Sequence, residues 1–341
     1  MEPKPLEIDN LELSFTTPYG EVKAVRGVSL TLEPGEILVL AGESGCGKSV
    51  LCKSVLKLLP RYARIKSGSI RLCGRDITHA SEAEMTKIRG TEAAMVFQNP
   101  LTTLMPSMTI GAQIREALRR RHLTPEEEEA ESIRLLESVG ITEARQRLSQ
   151  LPLAFSGGMR QRCALAIALA AQPKVLLADE PTTALDGTIQ IQILDRLKKL
   201  RDERGLSILL VTHDLGVAAH IADRVGILYA GRLVEIGTAE EIFYDPRHPY
   251  TWGLLSSLPA AARGKRLTPI DGMPPDLLAP PPGDAFASRN PYAIAIDYEK
   301  QPPLFDVSST HKAATWLLDP RAPKITPPES ARIEPFDSTK S

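Results

Sequence analysis

The chain has 341 residues, enough for one large α/β domain and a smaller appendage, and its 41 basic and 42 acidic side chains nearly cancel. This balance gives no support to nucleic-acid binding through a basic surface. The N-terminus lacks the basic start and apolar core of a signal peptide, and the longest apolar run, Cys163 to Ala171, is too short to cross a bilayer. The four cysteines show neither CxxC spacing nor a disulfide framework, so we expect the protein to work in the reducing environment of the cytosol.

Two predicted strands open the chain, Leu6 to Phe15 and Val22 to Leu32, and Tyr19 lies in the turn between them. An exposed aromatic ring ahead of a nucleotide site can stack on a base. A surface tyrosine in a hairpin fits equally well from the residues alone.

A glycine-rich loop follows the apolar run Ile37 to Leu40, and it leads into an amphipathic segment that begins at Val50. A strand before such a loop and a helix after it are typical of a phosphate-binding loop. The glycines let successive N–H groups converge on phosphates, where the helix start adds its positive dipole. Lys48 would bind the same phosphates, and Ser49 would ligate Mg²⁺. The pattern predicts nucleoside triphosphate binding by the residues Gly42, Glu43, Ser44, Gly45, Cys46, Gly47, Lys48, Ser49 and Val50.

The middle of the chain continues the α/β pattern and then turns helical. A predicted central strand, Ala93 to Phe97, ends at Gln98. From Thr109 to about Leu148 the pattern is helical and polar, and Thr124-Pro125 has the cap and first-position proline of a helix start. We expect a helical insert inside the α/β domain.

A second anion site is predicted at Ser156-Gly157-Gly158-Met159, which opens an apolar helix ending near Ala171. A serine and two glycines at a helix N-terminus present free N–H groups to an anion. Taken alone, Ser-Gly-Gly is a weak signal.

Two acidic residues and a histidine are predicted to follow buried strands. The strand Lys174 to Ala178 delivers Asp179 and Glu180 at its C-terminal end, the edge where ligands of open α/β sheets bind. Asp179 would hold Mg²⁺, and Glu180 would polarise an attacking water. A purely structural role, in which Asp179 and Glu180 only cap the strand, is a poor alternative for two adjacent acidic residues at this edge. His213 ends the next apolar strand and is placed to reach a γ-phosphate.

The character of the chain changes beyond about Glu240. Many prolines interrupt every helical pattern there, which predicts an irregular extension with little core of its own. The tail after Leu318 is charged and proline-rich, and we expect it to be mobile.

Five motifs of the chain are the phosphate loop, Gln98, the segment Ser156 to Gly158, the strand that ends at Glu180, and His213. In their order and spacing they resemble the motifs of ATP-binding cassette (ABC) ATPases, over residues 5 to about 240. The resemblance implies an α/β fold in which a RecA-like P-loop core carries an antiparallel β subdomain and a helical subdomain at about 99–165. It divides the chain into a cassette at 1–240 and an extension at 241–341, whose tail begins at about 319.

The resemblance also implies roles for individual residues. Two cassettes would sandwich two ATP molecules, each lying between one phosphate loop and the other chain's signature at Ser156 to Met159. Gln98 would join Ser49 and Asp179 at Mg²⁺ and sense the membrane partner. The signature reads Phe-Ser-Gly-Gly-Met and departs from the commonest Leu-Ser-Gly-Gly-Gln at both ends. Tyr19 would stack on adenine, Asp186 would belong to a loop that crosses the dimer interface, and His213 would be a catalytic switch.

Three segments resemble the oligopeptide/dipeptide branch of importer ATPases: Phe155 to Arg162, Gln98 to Leu104, and His248 to Thr251. This branch implies an ATP-hydrolysing subunit that powers import of peptides or related small solutes at the cytoplasmic face of the inner (plasma) membrane. Its partners would be a second, paralogous ATPase subunit, two transmembrane permease subunits and an extracytoplasmic solute-binding protein, with no nucleic acid. The segment from Gln98 to Met108, apolar at Leu101, Leu104 and Met105, resembles the surface that receives a helix of the permease.

Other classes of cassette ATPase remain as alternatives. A DNA-repair or chromosome ATPase would insert long coiled coils between loop and signature, and a translation ATPase would normally carry two cassettes. A non-hydrolysing scaffold usually loses the catalytic acid or the switch histidine, whereas Glu180 and His213 are both present.

Relatives that share the C-terminal frame carry four cysteines that look like iron–sulfur ligands. The corresponding residues here supply no thiolate, so we predict an extension without a cluster. We expect it to be held by packing of Phe286, Tyr292, Trp316 and the prolines against its own cassette or the partner's. A hard cation bound by the two aspartates is a less simple alternative. The four positions are Asp284, Asn290, Asp297 and Thr315.

Overall fold

The computed structural model describes residues 3–99, 103–183, 186–258 and 269–331. The strands are β1 (Leu6–Thr17), β2 (Gly20–Leu32), β3 (Ile37–Ala41), β4 (Ala63–Leu72), β5 (Arg75–Asp76), β6 (Ala93–Val96), β7 (Val175–Asp179), β8 (Ser207–Val211), β9 (Arg224–Tyr229), β10 (Arg232–Thr238), β11 (Phe305–Asp306) and β12 (Lys312–Ala313). The helices are α1 (Lys48–Val55), α2 (Glu82–Ile88), α3 (Ile110–Leu118), α4 (Pro125–Ser138), α5 (Ala144–Arg147), α6 (Gly157–Ala170), α7 (Gly187–Arg204), α8 (Leu215–Ile221), α9 (Ala239–Tyr244), α10 (Pro249–Ser256) and α11 (Ala295–Glu299).

The larger sheet has the strand order β11-β12-β10-β9-β3-β8-β7-β6 among the described residues. Its central pairs, from β9 through β3, β8 and β7 to β6, are parallel. Every residue of β3, β7 and β8 is buried, as is typical of parallel strands with both faces covered. The carboxyl ends of these strands therefore meet at one edge of the sheet, and the segments that leave them are brought together there.

The smaller sheet is antiparallel, with the order β2-β1-β4-β5 in the described part of the chain. Its long hairpin, β1 and β2, turns at residues 17–20 and presents Tyr19 to solvent. The predicted strands are confirmed, and the structure lengthens each of them by about two residues at the turn.

The helical insert is also confirmed. α3 and α4 pack on α6 and bury Ile114, Leu118 and Leu135 in the main core. Thr124 caps α4 as the sequence indicates: its hydroxyl accepts the Glu127 N–H, and the Glu127 carboxylate accepts the Thr124 N–H.

The extension contains helices and contributes to the core of the cassette, so the prediction that its prolines interrupt every helical pattern is wrong. Pro249 occupies the first position of α10, where its missing N–H is not needed. Tyr250 and Phe286 are buried, and their rings lie 4.5 and 5.3 Å from the ring of Tyr229 in the cassette. Aromatic packing thus joins the extension to the main core, as proposed for Phe286.

Part of the predicted mobile tail packs on α10. The Ser330 hydroxyl lies 2.9 Å from that of Ser256, and Ala331 is fully buried. Residues 332–341 lie outside the described part of the chain.

A buried acidic side chain anchors the extension to β10. Glu235 is fully buried, and its carboxylate accepts the N–H groups of Arg247 and His248 at 2.5 and 3.1 Å. His311 Nε2, also buried, lies 2.8 Å from the same carboxylate, next to the short strand β12 that pairs with β10. Three groups from the extension therefore depend on one side chain.

We expect Glu235→Ala to lower the free energy of unfolding by about 3 kcal/mol, because it leaves a buried histidine and two buried N–H groups without their partner. Urea denaturation followed by tryptophan fluorescence measures this, since Trp252 and Trp316 both belong to the extension. Asp306→Ala removes the exposed Lys312–Asp306 pair and should cost less than about 1 kcal/mol. Equal effects of the two substitutions would contradict the anchoring role of Glu235.

Candidate active site

The glycine-rich loop runs from the end of β3 into α1, and its shape requires glycine at two positions. Gly42 and Gly47 have φ values of +148° and +102°. A Cβ at Gly42 would lie 2.2 Å from the Leu228 carbonyl oxygen, and one at Gly47 would lie 2.4 Å from that of Ala24. Backbone atoms cannot yield to such contacts, so neither position tolerates a side chain.

Lys48 folds back into this loop. Its side chain is buried, and Nζ donates to the carbonyl oxygens of Gly42 and Glu43 at 2.7 and 2.8 Å. Cys46 fills the space beside it, with Sγ 3.4 Å from Nζ, and burial raises the pKa of the thiol. The ammonium group is thus held at the centre of the loop.

Asp179 and Ser49 meet where β7 ends beside the start of α1. The Ser49 hydroxyl donates to Asp179 Oδ1 at 2.6 Å, and Lys53 Nζ lies 3.2 Å from Oδ2. Asp179 is buried, and Val50, which follows Ser49 in α1, is partly buried. A hydroxyl and a carboxylate oxygen therefore converge on one point next to the phosphate loop.

Glu180 brings together residues that follow three strands. Its Oε2 accepts the Gln98 side-chain N–H and the Thr183 hydroxyl, both at 2.9 Å, and His213 Nδ1 lies 3.2 Å from Oε1. The Glu180 N–H donates to the Val211 carbonyl at 2.9 Å. With φ at +48°, an uncommon value for a residue other than glycine, the backbone turns the carboxylate into this cluster.

Thr183 is the member of this cluster that the sequence did not single out. The sequence could have indicated Thr183 as a hydroxyl-bearing residue three positions after Glu180. The turn after β7 brings its side chain back to the Glu180 carboxylate.

The signature segment lies at the N-terminus of α6. The Ser156 hydroxyl accepts the Met159 N–H at 3.3 Å, and Ser156 and Gly157 are exposed, with Gly158 following in the first turn. Phe155 is buried under the Arg147 guanidinium, whose centre lies 5.8 Å from its ring. Met159 packs partly against the main core. The two residues that differ from the common signature, Phe155 and Met159, are therefore both apolar residues that pack inside the protein.

Three predicted site residues stand apart from the Glu180 cluster. Asp186 caps α7 by accepting the Ile189 N–H at 3.0 Å and is exposed. Tyr19 is 90% exposed. Among the hydrogen bonds of the described residues, none joins Tyr19, Ser156 or Asp186 to the phosphate loop.

Comparison with known protein families agrees with this arrangement. A family model described as "ABC transporter" matches residues 25–183, and one described as "Oligopeptide/dipeptide transporter, C-terminal region" matches residues 234–296. The chain is 52% identical over 333 residues to the oligopeptide transport ATP-binding protein OppD of Bacillus subtilis (strain 168), covering 96% of this chain and 93% of that protein. It is 51% identical over 332 residues to the dipeptide transport ATP-binding protein DppD of Lactococcus lactis subsp. cremoris (strain MG1363), covering 96% and 95%. The chain belongs to the oligopeptide/dipeptide family of ABC transporter ATP-binding proteins.

Solved structures identify the fold of this family member as the ABC ATPase cassette. The dimeric cassette MJ0796 superposes with a TM-score of 0.63 at 28% identity, covering 69% of this chain and 98% of that one. The same cassette, in a post-hydrolysis state bound to ADP and Pi, gives the same values. The fold, ATP binding and ATPase activity predicted from the motifs are thus confirmed. None of the helices in the described ranges is long and apolar enough to span a bilayer.

The four positions expected to hold cysteines in relatives are all buried in this family member. Each side chain accepts a nearby backbone N–H through one oxygen, at distances between 2.8 and 3.3 Å. Oxygen atoms do not supply the thiolates that iron–sulfur clusters need, so these residues do not fit such a cluster. In the described ranges, no group of three or more His, Cys, Asp or Glu residues is arranged to hold a metal ion. The residues concerned are Asp284, Asn290, Asp297 and Thr315.

Burial raises the pKa of the Asp284 carboxyl to about 6, and Asp297 nearby adds to the rise. A carboxyl with a raised pKa in the folded state holds its proton more tightly there than in the unfolded chain. Stability is therefore lost as the pH rises from about 4 to about 6 and stays lower above that window. Asp284→Asn removes this titration and keeps an oxygen for the Phe286 N–H.

We expect the stability of Asp284→Asn relative to the unmodified chain to increase by up to about 3 kcal/mol between about pH 4.5 and about pH 7.5. Urea denaturation at several pH values measures the difference. Asp306→Asn, at a position that is 72% exposed, is the matched control. A rise for Asp284→Asn no larger than that for Asp306→Asn would contradict the raised pKa.

Proposed function

We propose that the chain is the ATP-hydrolysing subunit that powers import of peptides through separate transmembrane subunits. The observation that carries the proposal is the placement of Glu180 between Gln98 and His213, beside a complete phosphate loop. The transport class rests on the match to the oligopeptide/dipeptide C-terminal region and on the relatives, which are named as oligopeptide and dipeptide transport proteins.

Mg²⁺ fits the oxygen atoms beside the phosphate loop. Ser49 and Asp179 already converge, and hydroxyl and carboxylate oxygens are the donors that this ion accepts together with phosphates. We assign Ser49, Asp179 and Gln98 as the residues that would hold it. When bound, Mg²⁺ supplies neutralisation of the phosphate charge.

The contacts of Glu180 with its neighbours support a role for it in hydrolysis. A carboxylate with one oxygen fixed by Gln98 and Thr183 leaves the other to orient a water and accept its proton. His213, half exposed beside that second oxygen, is placed to contact the γ-phosphate side of the site. Lys48 exchanges the loop carbonyls for phosphate oxygens when ATP enters the loop.

A second cassette completes the site. The exposed N-terminus of α6 at Ser156 offers free N–H groups and a positive dipole to an anion, and the ATP held by a partner supplies that anion. Asp186 is exposed for contact across the same interface, and exposed Tyr19 is available to stack on adenine. We propose a paralogous ATPase subunit as the partner, so that ATP joins the two cassettes.

Permease contact is assigned to the segment after Gln98. Met105 is 54% exposed, whereas Leu104 is 4% exposed within the main core, so the prediction that Leu104 forms part of the contact surface is wrong. Leu101 lies outside the described residues. Two permease subunits would hold the chain at the cytoplasmic face of the inner membrane, and an extracytoplasmic binding protein would deliver the peptide.

Glu180→Gln should keep ATP binding while lowering hydrolysis at this site about 100-fold or more, because an amide cannot accept the proton of water. Phosphate release by the assembled transporter at saturating ATP measures this. If the paired cassette hydrolyses independently, total turnover falls by half. Glu203→Gln, on the exposed face of α7, is the control. Turnover equal to that of the control would remove Glu180 from this role.

Met105→Glu should weaken permease binding at least about tenfold by placing a charge in an apolar contact, without changing the fold. Its backbone anchors remain, since the Met105 N–H and carbonyl are both held by the Gln113 side chain. Copurification with the permease subunits measures the effect. Met273→Glu, 84% exposed in the extension, is the control. Full assembly and uptake in Met105→Glu would contradict the assignment.

A further inference from the structure

The motif His248 to Thr251 and Arg289, whose side chain is buried, have no part in the function described so far. Both lie in the extension: Tyr250 of the motif follows Glu43 of the phosphate loop by 207 positions, and Arg289 follows it by 246. The structure nevertheless brings them to the same residue of that loop, Glu43.

Tyr250 reaches the loop with its hydroxyl. The Glu43 backbone N–H donates to Tyr250 Oη at 2.8 Å, while the Tyr250 ring is packed between Tyr229 and Phe286. The ring is fully buried, so the hydroxyl is held in place without support from Glu43.

Arg289 holds the side chain of the same residue. Its guanidinium donates to both Glu43 carboxylate oxygens, at 2.7 and 2.9 Å, and to the Tyr229 hydroxyl at 3.2 Å. The Arg289 side chain is only 5% exposed. A planar, two-bond pair of this kind fixes direction as well as distance.

Every polar group of Glu43 is therefore engaged. Its N–H is held by Tyr250, its carboxylate by Arg289, and its carbonyl by Lys48, the residue that contacts phosphate. The extension thus reaches the catalytic lysine through a single loop residue.

The outer side of the loop is also covered by the extension. Pro274, Pro275 and Leu277 line, together with loop residues 43–46, a cavity of about 210 Å³. The Lys23 N–H donates to the Leu277 carbonyl at 2.9 Å, which fixes this segment on β2.

We propose that the extension positions the phosphate loop for nucleotide binding, with Tyr250 and Arg289 acting as positioning residues through Glu43. A loop held in its binding shape loses less conformational entropy when the nucleotide arrives. Glu235 and aromatic packing already attach the extension to the cassette, so attachment does not require the two contacts with Glu43. The inference rests on the proposed assignment of residues 42–49 as the nucleotide site.

The test is equilibrium binding of ADP with Mg²⁺ to the full chain, because ADP occupies the loop and is not hydrolysed. Tyr250→Phe should raise the Kd about fivefold, the effect of one ordinary hydrogen bond. Tyr298→Phe is the matched control, since its hydroxyl donates to the Ala287 carbonyl within the extension. Thermal melting of each variant reports folding separately from affinity.

A double-mutant cycle locates the effect of the ion pair. Arg289→Ala and Glu43→Ala should each raise the Kd about tenfold, and the double variant should bind as weakly as either single one. Arg289→Lys, which keeps the charge and loses the fork, should fall between Arg289→Ala and the unmodified chain. If Arg289→Ala does not fold, Tyr250→Phe and Arg289→Lys decide the outcome.

A Kd for folded Tyr250→Phe and Arg289→Lys equal to that of Tyr298→Phe would overturn the positioning role. Lys48→Ala separates this failure from failure of the site assignment. If the unmodified chain binds ADP and Lys48→Ala does not, the site stands whatever Tyr250 does. If Lys48→Ala binds as the unmodified chain does, the site assignment and the inference both fall.

Discussion

Parallel pairing of β3, β7 and β8 is the constraint on which the site depends. Because these strands run in the same direction, their carboxyl ends deliver the phosphate loop, Asp179 and His213 to one edge of the sheet. All three strands are completely buried, so the edge is rigid where the reacting groups are held. Contacts such as that between Ser49 and Asp179, 130 residues apart, follow from this pairing.

Site residues whose structure is set by their neighbours in the sequence could be predicted from the sequence alone. The phosphate loop, the caps of α4 and α6, and the acids at the end of β7 each depend on neighbours within a few positions. Their spacing is therefore visible without the fold. The joint order of the motifs then identified the cassette, although Ser-Gly-Gly alone was a weak signal.

Residues whose role depends on distant packing could not be predicted in the same way. Leu104 is apolar in a segment that resembles a docking surface, and only the fold shows that it faces inward while Met105 faces out. The prolines of the extension concealed α10, because Pro249 begins that helix rather than interrupting it. The contact of Arg289 with Glu43 spans 246 positions and has no local pattern.

The extension is ordered around four oxygen-bearing side chains at the positions where the resemblance implies cysteines. Asp284, Asn290, Asp297 and Thr315 each accept a nearby backbone N–H, so the turns around them are satisfied by oxygen. At Asp284 the arrangement is energetically unfavourable for the charged carboxylate, because burial disfavours the charge and raises the pKa of the carboxyl. What the extension retains is contact with the cassette, through Glu235, the aromatic cluster and the phosphate loop.

In the proposed mechanism, ATP hydrolysis at Glu180 is coupled to peptide import through a second cassette and the permease. The most direct measurement is ATP turnover by the purified complex in lipid nanodiscs, with the binding protein added either empty or loaded with a mixture of short peptides. We expect the loaded binding protein to raise turnover several-fold, and Glu180→Gln to remove the increase from this site. Turnover that is the same with empty and loaded binding protein, for peptides that the binding protein demonstrably holds, would contradict the account.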